Sequence, residues 1–392
     1  MTTYESYIQP DRLAPVVPLG DPADVNEKFF IRTHQAFELW FAQILDELES
    51  ARAKLAAYVQ ENDVPDITHH IRRAAALFDL VRAHLPVLES LLTTNFLDFR
   101  RYLFGSGGVQ SYRFREIEWL LGFRDPDLLA YVEERLRFES DAASGQSQPQ
   151  SRAYQMYVSV RDYQARQDQW RAAPLDDLEA THRALAERER DLELNGTLRQ
   201  HVLEWLRRTP YPGPAASAMS QSDEFTRRFR ERLESVYDDD LQLLLDKGMI
   251  DQAGAEQAKQ SALERLRWFF ERPERRAIVF ILQFDEQPLL AWPAELLEVV
   301  LELDEAFLTW RDRHIAMVER VLGGGRFSTM GGRASGLPYL QSTLYKRAFP
   351  EIWDARTFLL GAKEGANIYQ STASDWGEWR NYRLAHELRS RP

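Results

Sequence analysis

Apolar residues recur at steps of three and four along almost the whole chain, the period of an α-helix buried on one face. The pattern is clearest in "LEVVLELDEAFLTWRDRHIAMVERVLGGG", where Val300, Leu303, Phe307, Trp310, His314, Met317 and Val321 form one stripe. Pro293 stands near the start of this stretch and a run of glycines closes it, the punctuation of a long helix. An earlier stretch repeats the pattern with Phe30, His34, Phe37, Phe41, Leu45 and Leu48. Runs that alternate apolar and polar residues, as a half-buried strand requires, are missing. Only "AIVFIL" at 277–282 reads either as a short strand or as buried helix. The expected fold class is all-α, a helical bundle.

Local signals divide the bundle. Asp24 followed by Glu27 predicts a capping box opening a helix that runs to "ENDVP". A second helix is expected over 66–92, bent or interrupted at Pro86, then a short one in "TTNFLDFRRYL". The glycine-rich "FGSGGVQS" leads into "REIEWLLG". Two segments, 139–151 and 209–223, have the composition of linkers, and the helical section between them is more charged than its flanks. The expected division is an N-terminal helical part over 1–134, an accessory helical insertion over 135–225 and a C-terminal helical part over 226–392.

Composition excludes several functions. The 392 residues, 44% of them hydrophobic, can bury a large core. A net charge of -12 leaves no excess cation for phosphates, so nucleic acid and anionic membranes are not expected partners. Without cysteine there is no disulfide, zinc-thiolate site, iron–sulfur cluster or thiolate-ligated haem. The start "MTTYESYIQPDRLAP" has no charged-then-apolar leader pattern and no apolar run reaches membrane length, so a soluble cytoplasmic protein is the expectation. Twelve per cent aromatic residues, including 10 Trp, suit dense helix packing or a pocket for a flat ligand.

Two histidines, His34 and His314, sit on the apolar stripes. Singly, each reads most simply as a core residue with satisfied nitrogens; two on separate long helices weigh against that. Burial depresses an imidazole's pKa and leaves a neutral ring suited to metal ligation or to general-base work. A di-iron carboxylate site needs two Glu-x-x-His pairs, and only Glu179 and His182 have that spacing. A zinc protease needs two histidines four apart, and His69 and His70 are adjacent. Haem brings four nitrogens of its own and asks the protein for one axial histidine. A second inward histidine can then face the other side of the ring.

These residues carry a family resemblance. "FFIRTHQAFELWFAQILDEL" resembles the most characteristic segment of the tryptophan 2,3-dioxygenases, haem enzymes that open the indole ring. "YESYIQPDRL", "FLDFRRYLFGSGGVQSYRFREIEWLLG", "FLTWRDRHIAMVERVLG" and "TMGGRASGLPYLQ" resemble further segments of that family in the same order, together covering about 1–125 and 290–360. The resemblance implies an all-α bundle around a b-type haem, with iron on His314 and His34 in the distal pocket, near the indole nitrogen. It implies Phe30 and Phe96 as aromatic contacts, Arg100 as the clamp on the substrate carboxylate, and Gly107 and Gly108 as close backbone beside the cofactor. Tyr4, Tyr7 and Ile8 resemble the segment that completes a neighbouring subunit's pocket, and Thr329 the threonine that meets the substrate ammonium.

Two features depart from the family pattern, both on the substrate side. Gly107-Gly108-Val109-Gln110-Ser111 stands where the family usually has Ser-Gly-Phe-Gln-Ser, and the loop "FSTMGGRASG" is longer. The expected partners are dioxygen and L-tryptophan or a close indole relative, opened to an N-formylkynurenine-type product of the kynurenine pathway, in a homo-oligomer, dimer or tetramer. The alternatives are a haem monooxygenase of the same superfamily acting on an indole or other aromatic amino acid, and a non-catalytic haem-binding or structural helical protein.

Overall fold

A computed structural model of the chain describes residues 16–57, 59–103, 111–124, isolated positions between 129 and 137, 152–172, 193–208, 224–288, 290–323 and 337–371. Among them every regular element is helical. The expectation of an all-α chain holds, and "AIVFIL" lies within the helix Pro273–Gln283. None of these helices is long and apolar enough to cross a membrane.

Three long helices make the frame: α1 (Val25–Ala56), α2 (Val64–Glu89) and, far along the chain, α10 (Ala291–Leu322). Helix α2 packs along both α1 and α10. Fully buried Phe78 of α2 meets Phe307 of α10 edge-on at 5.2 Å, and Phe41 of α1 meets Trp310 of α10 in a T at 5.9 Å. These offset and edge contacts are the arrangements aromatic rings prefer. After α2 in sequence come α3 (Thr93–Arg100) and α4 (Tyr112–Leu120), both packed on α1, and Phe114 of α4 fills the junction of α1 with α10, 5.4 Å from Phe41 and 4.7 Å from Trp310.

The termini of these helices follow from their sequences. Asp24 caps α1, its side chain accepting from the Asn26 N–H at 2.8 Å. Glu27 does not complete the expected capping box. It is buried and turns the other way, accepting the N–H groups of Leu19 at 2.7 Å and Gly20 at 3.1 Å. The carboxylate therefore anchors the chain entering the helix. Pro86 lies inside α2 in its last turn, where one missing amide donor is tolerated, and the helix ends at Glu89. Helix α10 ends where Gly323 adopts φ +67° and donates to the Glu319 carbonyl at 2.8 Å, a conformation that costs glycine least.

The middle of the chain adds α5 (Arg152–Ala172), α6 (Leu198–Arg208), the hairpin α7 (Glu224–Asp246) and α8 (Gln252–Phe270), and α9 (Pro273–Gln283). The section expected as an accessory insertion contributes Met156, Val160, Leu198, Val202 and Leu206 to the main core. Helix α6 is fastened to α9 by buried ion pairs: Arg207 and Arg272 both reach Glu193, at 2.5 and 2.8 Å, and Arg207 also reaches Glu274 at 3.2 Å. Arg199 of α6 pairs at 2.5 Å with Glu351 of α12 (Pro350–Ala355). Two short helices complete the described fold, α11 (Leu337–Ser342) and α13 (Ala362–Ser371). The two linker segments and the Glu179–His182 pair lie outside the described residues.

Candidate active site

Four of the expected site residues converge where the start of α1 meets α3. Phe30 and His34, one turn apart on α1, have ring centroids 4.0 Å apart. Phe30 also lies 5.5 Å from Phe96 and 5.3 Å from Phe99 of α3, which meet each other at 90°. Arg100 follows on α3, buried beside this aromatic cluster. An aromatic floor and a guanidinium thus come from one short helix, and the imidazole from the helix it packs against.

His34 is fixed in one tautomer. Its Nδ1 lies 2.8 Å from the Phe30 carbonyl oxygen. A carbonyl only accepts, so Nδ1 carries the proton and donates, and Nε2 of the neutral ring keeps its lone pair. Burial holds the pKa of His34 below the ordinary histidine value; the Phe30 carbonyl and Glu38 restore part of the loss and His84 adds to it. At neutral pH the ring is an acceptor at Nε2.

His314 approaches from α10. Its plane lies almost parallel to that of Trp310, one turn earlier, at 8° and 5.2 Å between centroids. Burial pushes its pKa down to about 4, with further lowering from nearby His34 and from the Arg115 guanidinium of α4. Arg115 is itself buried and paired with Glu118. The His314 side chain is itself half-buried. His34 is close enough to oppose protonation of His314, and burial favours the neutral form of both rings.

Among the described residues no group of three histidine or carboxylate side chains could hold a metal ion. His70 instead pairs with buried Glu47 at 2.6 Å, and His69 contacts Arg73. Neither histidine of this pair is a ligand candidate. Tyr4, Tyr7, Ile8, Gly107, Gly108 and Thr329 lie outside the described residues.

Comparison with known proteins identifies the family. The sequence profile of the family described as tryptophan 2,3-dioxygenase matches residues 1–159 and 193–359. The chain belongs to the tryptophan 2,3-dioxygenase family. It is 32% identical over 375 residues to the tryptophan 2,3-dioxygenase of Sorangium cellulosum (strain So ce56), covering 90% of this chain and 80% of that one. It is likewise 32% identical over 384 residues to tryptophan 2,3-dioxygenase 2 of Ralstonia nicotianae (strain ATCC BAA-1114 / GMI1000), covering 92% and 93%. The tryptophan 2,3-dioxygenase of Anopheles gambiae is 27% identical over 358 residues, covering 86% and 78%. The profile reaches through α6 to α9, a region in which the sequence motifs alone carry no resemblance.

As a tryptophan 2,3-dioxygenase family enzyme, the chain also presents site residues that the sequence reading passed over. His84 of α2 packs against Phe37 at 4.7 Å with the rings tilted by 39°, and Phe37 in turn meets His34 edge-on at 6.2 Å. The signal was available: His84 follows Val81 by three and precedes Leu88 by four, on the flank of the apolar face. Trp310 was read only as part of the core stripe, although it stands one turn before His314. Arg115 gave no signal, because its proximity to His314 is created by packing between α4 and α10.

Proposed function

We propose that this enzyme binds a b-type haem through His314 and inserts both atoms of dioxygen into the C2–C3 bond of L-tryptophan. The observation that carries this reading is the pair of neighbouring imidazoles, His34 and His314, both held below the ordinary histidine pKa by burial, with an aromatic wall and a buried Arg100 on the His34 side. The residues fit a haem, which needs a single neutral nitrogen ligand and apolar walls. Phe41, Phe114 and Trp310 supply such walls near His314. Trp310 also buries an indole N–H that has no acceptor among the described residues. When bound, the haem supplies the iron at which dioxygen is activated.

The chain's own residues bind and orient the substrate. Arg100 takes the carboxylate as a fork, and Phe30 and Phe96 pack on the indole faces. His34 Nε2, kept as an acceptor by the Phe30 carbonyl, receives the indole N–H. It holds that proton rather than removing it, because an indole N–H is far too weak an acid for imidazole. The C2–C3 bond breaks, one oxygen becomes the ketone at C3 and the other the formyl oxygen at C2. No external reductant enters the balance.

The same reading assigns Tyr4, Tyr7 and Ile8 to the pocket of a neighbouring subunit in a homo-oligomer, Thr329 to the substrate ammonium, and Gly107 and Gly108 to the cofactor edge. It takes the enzyme as soluble and cytoplasmic, and the 1–134 and 226–392 parts as the two sides of the haem domain. The test is to reconstitute the protein with haem, reduce it, add L-tryptophan and air, and weigh the product. A gain of two oxygen atoms is expected. A gain of one overturns the dioxygenase reading in favour of monooxygenation, and a colourless protein overturns the haem assignment.

A further inference from the structure

Among the described residues, two other indole N–H groups in the interior have acceptors. Trp119 donates to the Ser159 hydroxyl at 3.2 Å, and Trp353 to the Asp304 carboxylate at 2.8 Å. Trp310 is the exception at the site: it is 6% exposed, its Nε1 is buried, and no described residue accepts from it. A buried donor left without an acceptor is costly, so a native core keeps one where a further component supplies the acceptor.

Its placement says what that component is. A ligating nitrogen bonds in the plane of its imidazole. Because the Trp310 ring lies within 8° of the His314 plane, the indole presents its edge, not its face, towards whatever His314 binds. The rings around it, Phe41, Phe114 and Phe307, offer no oxygen or nitrogen. A b-type haem has its four pyrrole nitrogens committed to iron, and its remaining strong acceptors are the two propionate carboxylates at its edge.

We propose that Trp310 is a second point of attachment for the haem, donating its indole N–H to a propionate while its face fixes the rotation of the His314 ring. This inference rests on the assignment of haem to His314. It makes Trp310 a positioning residue for the axial ligand and a direct contact for the porphyrin edge, a dual use of one side chain that Phe at this position could fulfil only by half.

Trp310→Phe keeps the stacking ring and removes the donor, so the test is the rate at which haem is lost to excess apomyoglobin. It is measured for wild type and variant, each loaded with protohaem or with its dimethyl ester. With protohaem the variant is expected to lose its cofactor roughly tenfold to a hundredfold faster, the worth of a hydrogen bond to a charged acceptor. With the ester the two proteins should converge. Equal acceleration for both haems, or none for either, overturns the propionate contact. Wild-type protein alone provides a second check that needs no variant to fold: it should release the ester faster than protohaem, and equal release counts against the proposal. Failure of the underlying assignment looks different, since haem would then bind neither form or would bind a His314→Ala protein as well as wild type.

Discussion

Arg313 grips Glu89 with both arms of its guanidinium, each nitrogen 2.6 Å from a carboxylate oxygen, and so ties the last residue of α2 to the position just before His314 on α10. The contact spans most of the sequence and fixes the rotation of α10 near its functional end. The Arg313 hydrogen bonds hold the Glu89 carboxyl below the ordinary carboxylate value, against a smaller opposing effect of desolvation. A group whose folded pKa is depressed stabilises the fold above its unfolded pKa, and that contribution is lost as pH falls through the folded value. Wild-type protein should therefore lose stability on acidification below the usual glutamate range more steeply than Arg313→Ala. The pair is partly exposed, so at neutral pH the variant should cost only about 0.5–1 kcal/mol. Urea unfolding of both proteins at a series of pH values checks this, and parallel curves would contradict it.

Arg100 lies buried on α3 at the end of the Phe30, Phe96 and Phe99 cluster. If it clamps a carboxylate, Arg100→Gln should raise the KM for L-tryptophan about tenfold to a hundredfold, the scale of a lost charge-assisted hydrogen bond. Tryptamine, which has the indole but no carboxylate, should be handled alike by both proteins. An equal loss for both compounds would make Arg100 a structural residue instead.

Asp304 holds the far side of α10 in place. Nearly fully buried, it accepts the Ala348 and Phe349 N–H groups at 2.9 and 3.2 Å and the Trp353 indole at 2.8 Å. Asp304→Ala strands all of these donors in the interior, which should destabilise the protein by about 3 kcal/mol or more. The midpoint of denaturant unfolding reads this directly. A shift as small as that of an exposed Asp→Ala change would mean that water replaces the carboxylate.

The sequence was most legible where one helix face carries the information. The stripe from Val300 to Val321 predicted α10, and the stripe from Phe30 to Leu48 predicted α1, because burial on one face imposes the period directly. His34 and His314 were visible for the same reason, as polar residues out of place on an apolar stripe. Glu27 misleads because it stands at the capping-box spacing from Asp24, yet its side chain turns towards Leu19 and Gly20, eight and seven residues earlier. Arg115 and His84 belong to the site through contacts between helices distant in sequence, and a one-dimensional pattern does not encode them. The charged composition of 152–208 obscures that Met156, Val160 and Leu198 face the main core while Arg199 and Arg207 are engaged in buried ion pairs.

The two inward histidines should respond differently to removal, because they differ in what holds them. His314 is stacked on Trp310 and kept neutral by burial, a ring prepared to ligate; His34 is pinned at Nδ1 by the Phe30 carbonyl, a ring prepared to accept at Nε2. His314→Gly should therefore abolish the haem spectrum, and added imidazole should restore it by occupying the vacated ligand position. His34→Ala should keep haem but lower kcat/KM for L-tryptophan by about tenfold or more, the value of one hydrogen bond to the bound indole. A substrate methylated at the indole nitrogen cannot use that bond, so the gap between wild type and His34→Ala should close for it. If both variants instead lost haem to the same degree, the two imidazoles would be ligands of equal standing, and the division of the site into a ligand side and a substrate side would fail.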